Sequence, residues 1–119
     1  MKILICEDDP ISATILTIVL KEEGYLVNLA KDGKEAIDFL NDNRYDLIIT
    51  DARMPHMSGM ELIEHVRNVL KLNTHVMVLT AMMETTMKKE FLDAGANDYI
   101  IKPFETAELL KKIKLIKKT

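Results

Sequence analysis

An α/β fold, a parallel sheet covered by helices on both faces, is predicted by two observations. Stretches rich in β-formers alternate five times with helical periodicities along the 119 residues. The runs Leu47-Ile48-Ile49 and Val76-Met77-Val78-Leu79 are apolar at every position, as central strands buried on both faces are. A 48% hydrophobic composition over this length suits one domain with a real core, since domains of about 100 to 150 residues are the commonest size.

Taken in order, strands are expected at residues 2–6, 25–29, 46–50, 75–79 and 98–101. The first helix begins after Asp9-Pro10, where Asp can cap free N–H groups and Pro suits the first helical position. It is read as turning Ile11, Ile15, Ile18 and Val19 inward and stopping at Gly24. A second helix follows Gly33, with Ala36, Ile37 and Leu40 on one face. A third uses Leu62, Ile63, Val66, Val69 and Leu70. The fourth groups Met87, Phe91 and Ala94 before a C-capping Gly95, and the fifth groups Leu109, Ile113 and Ile116. Connections are short and polar except around residues 53–59, a loop long enough to wrap a ligand.

Composition narrows the function. Net charge is −3, with 6 basic and 11 acidic residues in 1–60 against 10 and 8 in 61–119, which argues against a nucleic-acid footprint over most of the surface. Lys111, Lys112, Lys114, Lys117 and Lys118 read as a solvated helix face with lysines favoured at a helix C-terminus; no aromatic residue interleaves them to stack on bases. Lone Cys6 has no disulfide partner and reads as a buried small hydrophobe, which points to a reducing, cytoplasmic setting. No run approaches the roughly 18 apolar residues of a membrane span. His56, His65 and His75 lack metal-like spacing.

Four apolar runs each end in a residue able to handle phosphate or metal. The first leads into Glu7-Asp8, the second into Asp51, the third into Thr80 and the fourth into Lys102-Pro103. In an open parallel sheet these ends converge, so three carboxylates, a hydroxyl and an ammonium meet where a divalent cation and a phosphoryl group would sit. Taken singly, each has a plainer reading: Asp9 as a helix cap, Thr80 as a strand-closing β-former, Lys102 as a surface lysine, Tyr99 as a strand aromatic.

Together, and in this order, these residues resemble a receiver domain of bacterial two-component response regulators. The matching segments are Leu4-Ile5-Cys6-Glu7-Asp8-Asp9, Asp46-Leu47-Ile48-Ile49-Thr50-Asp51, Met54-Pro55 with Ser58-Gly59, Leu79-Thr80-Ala81, Ala94-Gly95-Ala96, and Tyr99-Ile100-Ile101-Lys102-Pro103-Phe104. The resemblance covers the whole chain as a single receiver domain, residues 1–119, and leaves open whether it stands alone or is excised from, or N-terminal to, an output domain. It implies a flavodoxin-like (βα)5 sheet of strand order 2-1-3-4-5 and a cis Lys102–Pro103 bond.

It also implies roles. Asp51 is the phosphoryl acceptor; Mg2+ is held by Asp8 and Asp51 directly, by Glu7 through water and by the Arg53 backbone carbonyl. Lys102, the Thr80 hydroxyl and the Ala81 N–H receive the phosphoryl oxygens, and Thr80 with Tyr99 forms the switch. The donor is a sensor histidine kinase or a histidine phosphotransfer protein, and the domain is a signalling receiver and not an enzyme in its own right. Arg53 and Met82 flank the route of attacking water and are expected to slow dephosphorylation. Lys88, Asp93, Asp98, Glu108 and Lys112 stand where receivers attached to winged-helix DNA-binding domains form homodimers, through the fourth helix, fifth strand and fifth helix. Lys112 replaces the usual Arg and loses its bidentate fork, so such a dimer should be weaker. The competing enzyme reading is an aspartyl-phosphate-forming phosphohydrolase. Against it, Ala52-Arg53 after Asp51 offers no second Asp, and the length leaves no substrate cap. A flavin carrier would want a Ser/Thr/Gly loop where Glu7-Asp8-Asp9 stands.

Overall fold

A computed structural model describes residues 1–81 and 87–116. The chain alternates β1 (Lys2–Cys6), α1 (Pro10–Glu22), β2 (Leu26–Ala30), α2 (Gly33–Asp42), β3 (Leu47–Asp51), α3 (Gly59–Glu64), β4 (His75–Ala81), α4 (Lys88–Ala94), β5 (Asp98–Lys102) and α5 (Thr106–Lys114), with a π-helical stretch, His65–Val69, continuing α3. The strands form one parallel sheet of order 2-1-3-4-5. The fold expected from the sequence is therefore the fold observed.

Alternation along the strands builds two cores. Ile3, Ile5, Leu47, Ile49, Met77, Leu79 and Ile100 pack with Leu16 and Leu20 of α1 and Leu109 and Ile113 of α5. Leu4, Cys6, Ile48, Val76 and Val78 face the other way, toward Leu40 of α2, Leu62 and Ile63 of α3 and Phe91 of α4. Most of these side chains are fully buried, and at about 25 cal/mol per Å² of apolar area this burial is the main force holding the sheet. Cys6 is buried, as expected, and burial pushes its thiol pKa far up, so it stays protonated.

Strand ends run further than the sequence suggests. β3 includes Asp51, β4 reaches Ala81 and β5 reaches Lys102, so Asp51, Thr80 and Lys102 belong to the ladder itself, whereas Glu7 and Asp8 follow the end of β1.

Helix phases required correction. On α1 the buried residues are Ala13, Leu16 and Leu20; Ile11, Ile15 and Ile18 are 71%, 48% and 52% exposed and Val19 is half-buried. Apolar residues occur on every side of this helix, so two stripes compete. The winning one fits between Ile3 and Ile5 of the sheet and Leu109 and Ile113 of α5. Val69 is exposed because the π-helical stretch takes an extra residue per turn and rotates the apolar stripe out of phase. Met87 is exposed as well, whereas Phe91 carries the inward face of α4.

Caps match the sequence. The Asp9 side chain accepts from Ser12 N–H at 3.0 Å. Ser58 and Glu61 form a reciprocal capping box at the start of α3. Gly95 ends α4 at φ 123°, a conformation that favours glycine. The Lys102–Pro103 peptide bond is cis, as the resemblance implies.

Candidate functional site

The carboxyl ends of β1, β3 and β5 bring Glu7, Asp51 and Lys102 into direct contact. The Lys102 Nζ donates to Glu7 Oε2 at 2.9 Å and to Asp51 Oδ2 at 3.0 Å. All three residues follow the same strand alternation as Ile5, Ile49 and Ile100, which is why they meet on the α1/α5 side of the sheet. Glu7 is 1% exposed, and its second oxygen, Oε1, accepts from Asp9 N–H at 3.1 Å. Asp51 Oδ1 faces Arg53 N–H at 3.4 Å.

Electrostatics at this rim is a balance of burial against pairing. Burial raises the Glu7 carboxyl pKa against the hydrogen bonds from Lys102 and Asp9 N–H, and the Asp51 charge adds to the rise. Burial also disfavours the Lys102 ammonium, yet its bonds to Glu7 and Asp51 outweigh that and hold its pKa above the ordinary lysine value. The lysine therefore stays cationic at neutral pH and keeps the two carboxylates compatible.

Asp8 completes the acidic set. Glu7, Asp8 and Asp51 each present a carboxylate oxygen, and these oxygens lie within 4.8 Å of one another. An oxygen-only donor set of this charge fits a small hard cation better than a thiolate- or imidazole-seeking metal. Among the described residues, no histidine joins it.

Thr80 and Tyr99 occupy the other side of the same rim. Thr80 is 2% exposed and follows the alternation of Val76 and Val78, toward α2, α3 and α4; its hydroxyl lies 3.4 Å from the Ala81 carbonyl oxygen. Tyr99 pairs with Val78 in the β4–β5 register, one same-face step below Thr80, and packs half-buried against that core. Ala81 is the last residue of β4, opposite Lys102. Met82, expected to flank the route of water, lies outside the described residues, as do Lys117 and Lys118.

Three features gain their meaning only from the structure. A Cβ on Gly59 would come within 2.5 Å of the Asp51 carbonyl oxygen and 3.1 Å of Ala52 Cα, so glycine is what lets α3 start against the end of β3. Ile11, Ile15 and Ile18 leave an apolar stripe on α1, and Ile15 shares a groove of about 400 Å³ with Ser12, Lys102, Pro103, Phe104 and Thr106. Arg67 donates from Nε and Nη2 to the Gly95 carbonyl at 3.1 and 2.9 Å, from Nη1 to the Leu72 carbonyl at 2.8 Å and from Nη2 to Asn97 Oδ1 at 2.9 Å. Asn97 Oδ1 also accepts from Val76 N–H, which ties this clamp to β4.

On the face formed by α4, β5 and α5, Lys88, Asp93, Asp98 and Lys112, four of the five charged residues expected at a dimer contact, have partners within the chain. Lys112 pairs with Asp98 at 3.1 Å and Lys89 with Asp93 at 3.1 Å, while the Lys88 ammonium sits 4.4 Å from the centre of the Tyr99 ring.

Comparison with known proteins agrees with this geometry. The model of the family described as response regulator receiver domain matches residues 3–114. The transcriptional regulatory protein DltR of Streptococcus agalactiae is 39% identical over 115 residues, covering 97% of this chain and 51% of DltR. Among solved structures, the chemotaxis response regulator CheY4 of Vibrio cholerae aligns with a TM-score of 0.90 at 32% identity, over 98% of both chains. The receiver domain of the sensor histidine kinase PA1611 from Pseudomonas aeruginosa, whose structure has a magnesium ion coordinated in the active site cleft, aligns at 0.86 with 32% identity, over 97% of this chain and 95% of that one.

The chain belongs to the response regulator receiver domain family. It is a signalling receiver of the two-component type, and the phosphohydrolase alternative falls away. It spans about half the length of the curated regulators it matches. No helix among the described residues is long and apolar enough to cross a membrane.

Proposed function

We propose that this receiver takes a phosphoryl group onto Asp51 from a phosphohistidine of a sensor histidine kinase or histidine phosphotransfer protein, in the presence of Mg2+, and passes the change to an output partner through α4, β5 and α5. The observation that carries this is the Lys102 ammonium held between Asp51 and buried Glu7, with Asp8 alongside.

The chemistry follows from charge. A carboxylate attacks an already anionic phosphorus poorly unless the repulsion is cancelled and the groups are aligned. Asp8 and Asp51 would hold the Mg2+ directly with the Arg53 carbonyl, and Glu7, whose two oxygens each already accept a hydrogen bond, would act through water. When bound, the cation supplies neutralising charge between the carboxylates and the phosphate. An Asp51 oxygen forms the new bond to phosphorus as the bond to the histidine nitrogen breaks, and the domain itself contributes to this transfer and to its later hydrolysis. Lys102, the Thr80 hydroxyl and the Ala81 N–H receive the three phosphoryl oxygens as fixed donors. The apolar stripe of Ile11, Ile15 and Ile18, leading into the Lys102 groove, suits docking of the helical bundle that carries the phosphohistidine.

Phosphorylation adds close to two negative charges and three strong acceptors. Thr80 turning toward them vacates space on the α4 side, which Tyr99, one same-face step away, fills by turning inward. The shift is real only if the phosphoryl group binds the turned arrangement better. Lys112, Asp98, Asp93 and Lys88 would exchange their present contacts for those of a second copy in a homodimer on this face, which Glu108 would join.

The test is incubation with acetyl phosphate or beryllofluoride and magnesium, read by mass and by solution size. The intact chain should gain one phosphoryl group from acetyl phosphate, and Asp51→Asn should gain none. Labelling that persists in Asp51→Asn, or that is indifferent to removal of the divalent ion, would sink the proposal.

A further inference from the structure

We propose that Lys88 is a latch on the switch: its ammonium, resting on the Tyr99 ring, holds the tyrosine in its present half-buried position and raises the amount of phosphoryl signal needed to turn it. This inference rests on the Thr80/Tyr99 reading above.

The contact joins two elements that a switch must move relative to each other. Lys88 is the first residue of α4 and Tyr99 is the second residue of β5, and the Nζ lies 4.4 Å from the ring centre, within cation–π range. Lys88 is exposed, so its charge stays hydrated while its ammonium covers the ring.

An inward turn of Tyr99 breaks this contact for good reason. Val78, which pairs with Tyr99 in the sheet, belongs to the buried apolar core on this face, and an ammonium drawn into that core would lose its water. Nor can α4 follow as a body. Its far end is fixed where Arg67 grips the Gly95 carbonyl with two N–H groups and holds Asn97 beside it. On this proposal Tyr99 leaves Lys88 behind when it turns, and the contact belongs only to the unturned arrangement seen here. A contact made in one state alone shifts the equilibrium by its full strength.

The sign of this effect separates it from simple charge. Removing a lysine lowers the positive field that attracts an anionic phosphoryl analogue, so general electrostatics predicts weaker response in a neutral variant. A latch predicts a stronger one.

The experiment titrates beryllofluoride at fixed Mg2+ and follows the Tyr99 ring and the β5 amides by NMR. Lys88→Met should lower the beryllofluoride midpoint about 2–5-fold, the equivalent of about 0.5–1 kcal/mol for an exposed cation–π contact. Lys88→Arg, which keeps a cation over the ring, should hold the midpoint at or above that of the intact chain. In a Tyr99→Leu background the Lys88→Met change should have no such effect. An unchanged or raised midpoint in Lys88→Met, with the ring still turning, overturns the latch alone. A ring that stays put while Asp51 binds the analogue overturns the latch together with the Thr80/Tyr99 switch.

Discussion

The acceptor rim and the α4 edge are held by different kinds of force. At the rim, Asp51 ends β3 and Glu7 directly follows β1, strands whose inward residues are fully buried, and Gly59 lets the next helix start against the Asp51 backbone. Along α4, β5 and α5 the side-chain contacts are partly or wholly exposed: Lys89–Asp93, Lys112–Asp98 and Lys88 over Tyr99. The first arrangement suits groups that must already be aligned when phosphate arrives. The second, made of exposed contacts that are individually weak, is what the proposed switch requires.

Changes at the rim should therefore cost most. Gly59→Ala forces the Asp51 carbonyl or the start of α3 to shift, and overpacking against backbone costs about 1–3 kcal/mol. Because the displaced strand end carries the acceptor, labelling by acetyl phosphate should slow by about 10-fold or more. Urea unfolding and a labelling time course check both. A variant as stable and as fast as the parent would mean the rim is softer than its geometry indicates.

Arg67→Met probes the boundary between the two regions. The guanidinium satisfies two backbone carbonyls and Asn97 from a half-buried position, and a hydrogen bond to a charged group is worth about 1.5–3 kcal/mol, so a loss of that size is expected in urea. The labelling rate of Asp51 should stay close to the parent's, since no rim residue touches Arg67. A large loss of labelling without loss of stability would show that the clamp serves the rim.

Legibility of the chain divides along the same line. Glu7, Asp8, Asp51, Thr80 and Lys102 can be read from the sequence because each follows a continuous apolar run, and a parallel sheet sends all such ends to one rim. Strand order cannot be read that way and entered through family resemblance. The phase of α1 is not legible, because Ile11, Ile15 and Ile18 compete with Ala13, Leu16 and Leu20, and only the partner surfaces of the sheet and α5 choose between them. Arg67 is equally silent: its partners are mostly carbonyls, which every residue has, supplied from Leu72 and Gly95. The Lys88–Tyr99 contact depends on where α4 lies over β5, a tertiary fact with no local pattern.

Lys112→Ala tests how little the exposed side contributes. The Lys112–Asp98 pair is about one-third exposed on each side chain, so removing it should change stability by about 1 kcal/mol or less. If Lys112 contributes to a homodimer, its loss should appear in the solution size of the beryllofluoride-bound chain instead. A stability loss of several kcal/mol would place this pair with the rigid region.

The smallest expected effect lies at the opposite rim, where His75 opens β4 near both Arg67 and Asp98. Burial lowers the His75 pKa below its ordinary 6.5, Asp98 partly restores it and Arg67 lowers it again, for a net depression. The folded chain then binds fewer protons than the unfolded chain between the depressed value and 6.5. Stability from this residue is fully present above 6.5 and is lost as pH falls through the folded value. Carboxylates titrate in the same direction at lower pH, so the comparison that isolates the histidine is His75→Gln against the parent. The parent's urea midpoint should fall more steeply between pH 7.5 and pH 5 than the variant's, and parallel curves would show that the imidazole protonates in place without disturbing the Arg67 clamp beside it.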